Sequence, residues 1–265
     1  MCRSKSTETI TFDHISPEND AIGFTFHKTK TAQEGTKNKD PKHCFANPIN
    51  PSICLFLAFA IYLACNREVG SKDLYPGSKQ KDRFGKSLGR LLAAVQVDGR
   101  EDGTHLNGGN KLKVKNELGT HSIRKGAATF VSSGSTGEPS IVSVCLRCGW
   151  SLGNVMERYF RYEAAGDQYT GRVVAGLPIN CANLAILPPH FENGDDSTVL
   201  NILKVMFPIA NQHSHLHGVL HLLLSSLVFH YDFLVDLLPS NHPLFSTTLL
   251  TQQSDPNSTE ILFQV

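Results

Sequence analysis

Cationic side chains all but vanish after residue 172: the remaining chain holds one, Lys204, against seven Asp and Glu. The first 172 residues hold 24 Lys and Arg against 17 Asp and Glu, so a net charge of +1 conceals a front of +7 and a tail of −6. That absence points any polyanion contact to the first two-thirds. Uninterrupted apolar runs of bilayer length are also missing. "ICLFLAFAIYLAC" (53–65) is thirteen residues long, short of the roughly 20 that span a membrane. "LHGVLHLLLSSLVFHYDFLVDLL" (216–238) is long enough, but His221, His230, Asp232 and Asp236 interrupt it. Both predict buried helices, and no membrane partner. The opening "MCRSKSTET" carries no apolar segment of the secretory type. Seven cysteines, an odd number without framework spacing, point to reduced thiols in a cytosolic or nuclear compartment.

What is present describes a folded chain: 265 residues, 40% hydrophobic and 18% charged, enough for one large domain or two ordinary ones. "TITFDHI" (9–15) alternates and meets the turn residues Ser16-Pro17-Glu18-Asn19, which predicts a strand. "AIGFTFHKTKTA" (21–32) predicts a second strand, 33–43 a hairpin loop and "CFANP" (44–48) a third. Helices are predicted over 51–65 (with Pro51 in its first turn), 84–97, 121–132 capped by Thr120, 141–148 closed by Gly149, and 152–163. After "GLP" (176–178), helices near 197–207 and 214–238 read as a separate unit. The fold class is mainly α with a small three-stranded antiparallel sheet, α+β. Residues 1–178 are read as one domain and 179–265 as a helical C-terminal extension.

One stretch concentrates chemistry. "GTHSIRKGAATF" (119–130) sets His121 and Arg124 three apart on one helical ridge, in the first turn, where the helix dipole favours an anion. Gly126, Ala127 and Ala128 are too small to cover them. A phosphate suits that surface. Alone, H-x-x-R is a weak pattern, and more often marks a solvated face. Downstream, Trp150, the only tryptophan, precedes Tyr159 by nine residues in "WSLGNVMERYF"; upstream, Lys30 sits in "HKTKT" and Arg3 before the first strand.

In that order (Arg3, Lys30, His121, Arg124, Trp150, Tyr159) these residues resemble the tyrosine recombinases and integrases, from Arg3 to about residue 163. The nine-residue step from Trp150 to Tyr159 matches the family's spacing between its fifth motif residue and its nucleophile. The wording "HSIRKGAATF…LRCGWSLGNVMERYF…AGDQYTGRVVAGLP", with "LPPHF…HPLF" after it, looks like the recombinases of Crypton-type DNA transposons and their domesticated relatives.

The resemblance implies a tyrosine-recombinase catalytic-domain fold over 1–178 and DNA breaking and rejoining. Tyr159 would attack a phosphate and stay as a 3′-phosphotyrosine; Arg3 and Arg124 would grip the non-bridging oxygens, a task suited to guanidinium. His121 would assist by hydrogen bonding or proton transfer, Trp150 would donate its indole N–H to a phosphate oxygen, and Lys30 would protonate the leaving 5′-hydroxyl. No metal or nucleotide cofactor is implied. The implied partners are double-stranded DNA and further copies of the chain, as a tetramer on paired sites, in the nucleus. Type IB topoisomerases share this chemistry, but "HSIRKG" and Trp150 look closer to recombinases. Members of the family carry a helical DNA-clamping domain in front of the first arginine, whereas this sequence starts two residues before Arg3. On that ground it is expected to be an N-terminally truncated recombinase that binds DNA weakly and cleaves poorly.

Ordinary readings stand beside these. Leu152, Val155, Tyr159 and Tyr162 form a helical stripe, so Tyr159 can be core; Tyr162 and Tyr169 are rival nucleophiles, and Lys28 rivals Lys30. Cys145 and Cys148 lack a second pair at zinc spacing and read as buried thiols. His213, His215, His217 and His221 could form a metal face, with His217 and His221 as i, i+4 neighbours. No carboxylate or Cys accompanies them at a regular interval, and the reading preferred is a polar helix start. The alternative function is a non-catalytic, domesticated module that binds DNA or protein on the same scaffold.

Overall fold

The computed structural model describes residues 4–26, 40–68, 73–98, 119–134, 136–150, 152–153 and 162–247. It is mainly helical with one three-stranded antiparallel sheet, in the order β1 (Ile15–Glu18), β2 (Ala21–Phe24), β3 (Lys42–Phe45). Ile15 pairs with Phe24 and Glu18 with Ala21 across a two-residue turn; Ala21 pairs with Phe45 and Phe24 with Lys42 on the other side. The first strand starts later than its alternation predicts. Residues Phe12–His14 form a 3-10 turn instead, closed by the Thr11 N–H donating to His14 Nδ1 at 2.9 Å. Pro17 then lies inside β1 rather than in a turn, which an edge strand tolerates because it owes no hydrogen bond on its outer side.

The apolar run after Pro51 becomes a 3-10 turn, Pro51–Ile53, and then helix α1, Leu55–Cys65. With apolar side chains all round, α1 buries Phe56, Leu57, Phe59, Ala60, Leu63 and Ala64. Helices α2 (Gln80–Asp98), α3 (Thr120–Ser133), α4 (Ile141–Cys148) and α5 (Ala164–Val174) follow. Of the predicted helix 152–163, Leu152, Gly153, Tyr162 and Glu163 are not helical, and the rest lies outside the described residues. The long C-terminal run divides into α7 (His217–Phe229) and α8 (Tyr231–Leu237), after α6 (Ser197–Met206). The break falls at His230 and bends the run by 62°. Among the described residues, no single helix is long and apolar enough to cross a membrane.

The main core draws on both halves of the chain. Ile10, Phe12, Ile15 and Ile22 join Phe56, Leu57 and Leu63 of α1, Leu203 and Met206 of α6, and Leu220, Leu223, Leu224 and Leu227 of α7. Helix α7 packs directly on α1, so residues on either side of position 178 share one interior. Each fully buried Leu or Phe here contributes about 1.5–3 kcal/mol relative to exposure. A smaller cluster, Ala128, Val131, Val144, Cys148 and Val173, binds α3, α4 and α5 to one another. Helix α5 in turn lies close on β3: a methyl group on Gly171 would come within 2.4 Å of the His43 carbonyl oxygen and 3.0 Å of the Phe45 ring.

Candidate functional site

Helix α3 opens on Gly119, extended at φ −147°, rather than on Thr120, which is already the first helical residue. The Ser122 hydroxyl accepts the Gly119 N–H at 3.1 Å and closes the first turn. His121 stands exposed in that turn and Arg124 half-buried one turn later. Of the small residues beside them, Gly126 faces open space, whereas Ala128 belongs to the smaller core.

Arg124 reaches across to the end of α4. One guanidinium N–H donates to the Cys148 carbonyl oxygen, and the guanidinium carbon sits 5.7 Å from the centre of the Trp150 ring. Its Nε is buried with no hydrogen-bond partner among the described residues. The route by which Trp150 arrives is fixed by Gly149, which adopts the left-handed φ of +61° as the C-cap of α4. The Gly149 N–H donates to Leu146 O at 3.0 Å and the Trp150 N–H to Cys145 O at 2.9 Å. Trp150 leaves this cap 41% exposed, so the indole covers the guanidinium on one side and meets solvent on the other. Such a cation over an aromatic face is held by the ring quadrupole.

A buried polar network lies behind α4, and spacing in the sequence gives no sign of it. Asp167 on α5 accepts from Arg147 Nη1 at 2.7 Å and from the His43 backbone N–H at 2.8 Å, and its Oδ2 is 3.0 Å from His43 Nδ1. Arg147 Nη2 donates to the His43 carbonyl at 2.6 Å, and Lys42 Nζ to the Arg147 carbonyl. Burial alone would push the Asp167 carboxyl up, but the His43 hydrogen bond and the Arg147 guanidinium hold it below the usual carboxylate range. The network ties β3, α4 and α5 into one block, and so sets where the C-terminal end of α4, with Trp150, is presented to Arg124.

The two rival tyrosines are structural donors. The Tyr162 hydroxyl donates to the Pro41 carbonyl at 2.8 Å, and burial, with the Asp167 charge added, pushes its pKa well above that of an ordinary phenol. The Tyr169 hydroxyl donates to the Gly137 carbonyl. Cys148 is buried and Cys145 half-buried, and burial raises the pKa of both thiols, which makes them poor nucleophiles. Of the predicted site, Arg124 and Trp150 are thus brought together, with His121 exposed on the same helix as Arg124. Arg3, Lys30 with its rival Lys28, and Tyr159 lie outside the described residues.

Compared with protein-family models, with curated proteins and with solved structures, the chain finds no match.

Proposed function

We propose that the first turns of α3 and the end of α4 bind a DNA phosphate, and that the chain is a DNA breaking-rejoining enzyme of the tyrosine-recombinase type. The observation that carries this reading is the Arg124–Trp150 pair: a guanidinium lodged against a half-exposed indole, with a buried Nε that has no partner among the described residues. Guanidinium and indole are hydrogen-bond donors only, the chemistry a phosphate oxygen requires of its partners. The engaged hydroxyls of Tyr162 and Tyr169 leave Tyr159 as the nucleophile of choice. In the proposed step the Tyr159 oxygen attacks phosphorus as its phenol proton passes to His121, the P–O5′ bond breaks, the 5′-oxygen leaves with a proton from Lys30, and a 3′-phosphotyrosine remains for rejoining. Arg3, Arg124, His121 and Trp150 stabilise the charge on the pentavalent phosphorus; removing one such donor costs about 3–4 kcal/mol in the transition state. Duplex DNA in the nucleus, bound by several copies of the chain, is the partner this reading requires.

One feature favours the alternative, a non-catalytic binding module: Arg124 already spends an N–H on the Cys148 carbonyl. A single experiment addresses both readings. Duplex affinity is measured against salt for the wild type and for Arg124→Ala, and nicked suicide duplexes of mixed sequence are screened for a covalent adduct. Loss of about one unit from the log–log salt slope supports the phosphate contact, and an adduct abolished by Tyr159→Phe supports the enzyme. An unchanged slope with no adduct sinks the enzyme and the DNA-binding module together; a reduced slope without any adduct leaves the binding module.

A further inference from the structure

We propose that Asp13, His213 and His215 form a binding site for a divalent transition-metal ion of zinc's class, joining the turn before β1 to the turn before α7. One ligand atom from each residue lies within 4.8 Å of the other two. Donors held about 2.0–2.1 Å from a tetrahedral ion are separated by about 3.4 Å, so the side chains need to close by no more than about 1.4 Å. Both turns are short 3-10 segments, Phe12–His14 and Ser214–Leu216, each anchored by a buried residue, Phe12 and Leu216. His213 flanks the second turn, and the donors therefore hang on backbone that the core already fixes.

The surroundings match what a metal site requires. His215 Nε2 lies 3.2 Å from the Phe12 carbonyl oxygen. Donating there fixes the ring's tautomer and leaves the other nitrogen its lone pair, the usual outer-shell support for a ligating imidazole. The His213 ring stands edge-on to Phe12 at 5.2 Å and to His215 at 5.7 Å. Neighbouring imidazoles are otherwise engaged: His14 Nδ1 accepts the Thr11 N–H, and His217 Nε2 lies 3.1 Å from the Asn211 carbonyl. Two imidazoles and one carboxylate suit zinc and its neighbours, whereas calcium and magnesium want oxygen. Asp13 and His215 are exposed and His213 half-exposed, so water completes the coordination. With ligands from positions 13 and 213, the ion is a clasp across the fold rather than a catalytic group, and the reading is independent of the DNA proposal.

The test uses the full chain stripped with chelator and titrated with zinc, cobalt, magnesium or calcium chloride. One zinc per chain binds, the melting temperature rises, and magnesium and calcium at equal concentration leave it unmoved. Cobalt gives a d–d spectrum without sulfur-to-metal charge transfer, a readout that needs no variant. Asp13→Asn and His213→Ala each weaken zinc binding by about ten-fold or more, while His217→Ala leaves it unchanged. No zinc-dependent shift, a thiolate-type cobalt spectrum, or full affinity in a folded His213→Ala variant overturns the proposal.

Discussion

His43 and Asp167, 124 residues apart in sequence, are joined twice through one oxygen: Asp167 Oδ2 takes the His43 backbone N–H at 2.8 Å and lies 3.0 Å from its Nδ1. The remaining oxygen is held by Arg147 at 2.7 Å, and all three side chains are almost wholly buried. Removing one partner strands a charge in the interior, at a cost of about 3–5 kcal/mol. Asp167→Ala is therefore expected to lower unfolding free energy by that amount in urea titration. Asp167→Ala with Arg147→Met should recover a substantial part of it, as a double-mutant cycle would show.

Acid weakens the fold in two windows. Burial pushes the pKa of His230 down, and its Nε2 has no hydrogen-bond partner among the described residues. The unfolded chain takes up that proton near pH 6.5 and the folded chain resists it. This stability is complete above about pH 6.5 and is lost as pH falls below it; burial acts on His221 in the same direction. Asp167, held low, contributes stability that is complete above about pH 4 and is lost only on further acidification. Urea midpoints measured between pH 7.5 and 5 should fall in the wild type and fall less in His230→Leu.

Two glycines carry backbone rather than side-chain roles. Gly149→Ala places a Cβ in the left-handed region with nothing within 4 Å of it, so strain alone acts, at about 1 kcal/mol. Gly171→Ala meets the His43 carbonyl and the Phe45 ring, an overpacking that costs about 1–3 kcal/mol. Thermal denaturation should rank Gly171→Ala as the more damaging. Gly149→Ala should also change Trp150 fluorescence, because the cap directs that side chain.

A chain ending at residue 178 should not fold cooperatively. It loses α6, α7 and α8, whose Leu203, Leu220, Leu223 and Leu234 line the same core as Ile15, Ile22 and Phe56. Circular dichroism and hydrogen exchange on that fragment would show weak helicity and little protection; a sharp unfolding transition would contradict the shared interior.

Local features were readable in the sequence where one or two residues decide them. Gly149 ends α4 as its position predicted, and Pro51 opens the segment leading into α1. Alternation misplaced β1, because "TITFDHI" spends Phe12–His14 on a turn that His14 itself closes. The helix 214–238 was predicted unbroken, yet hydropathy cannot register the bend at His230. Spacing shows neither the His43–Asp167–Arg147 network nor the carboxylate, Asp13, that joins His213 and His215, for one shared reason. Their members lie on elements that only tertiary packing makes neighbours, and no periodicity in the chain encodes that distance.

The interior shared by the first strands and the last helices has a consequence for synthesis. Ile10, Phe12, Ile15 and Ile22 leave the ribosome early, but their partners on α6, α7 and α8 are translated some 180 to 220 residues later. At about 5–20 residues per second, these side chains wait on the order of ten seconds or more before the interior can close. During that interval β1 and β2 lack the cover that α6, α7 and α8 later supply. Such a nascent chain is a natural client for a chaperone that shields early-emerging hydrophobic segments.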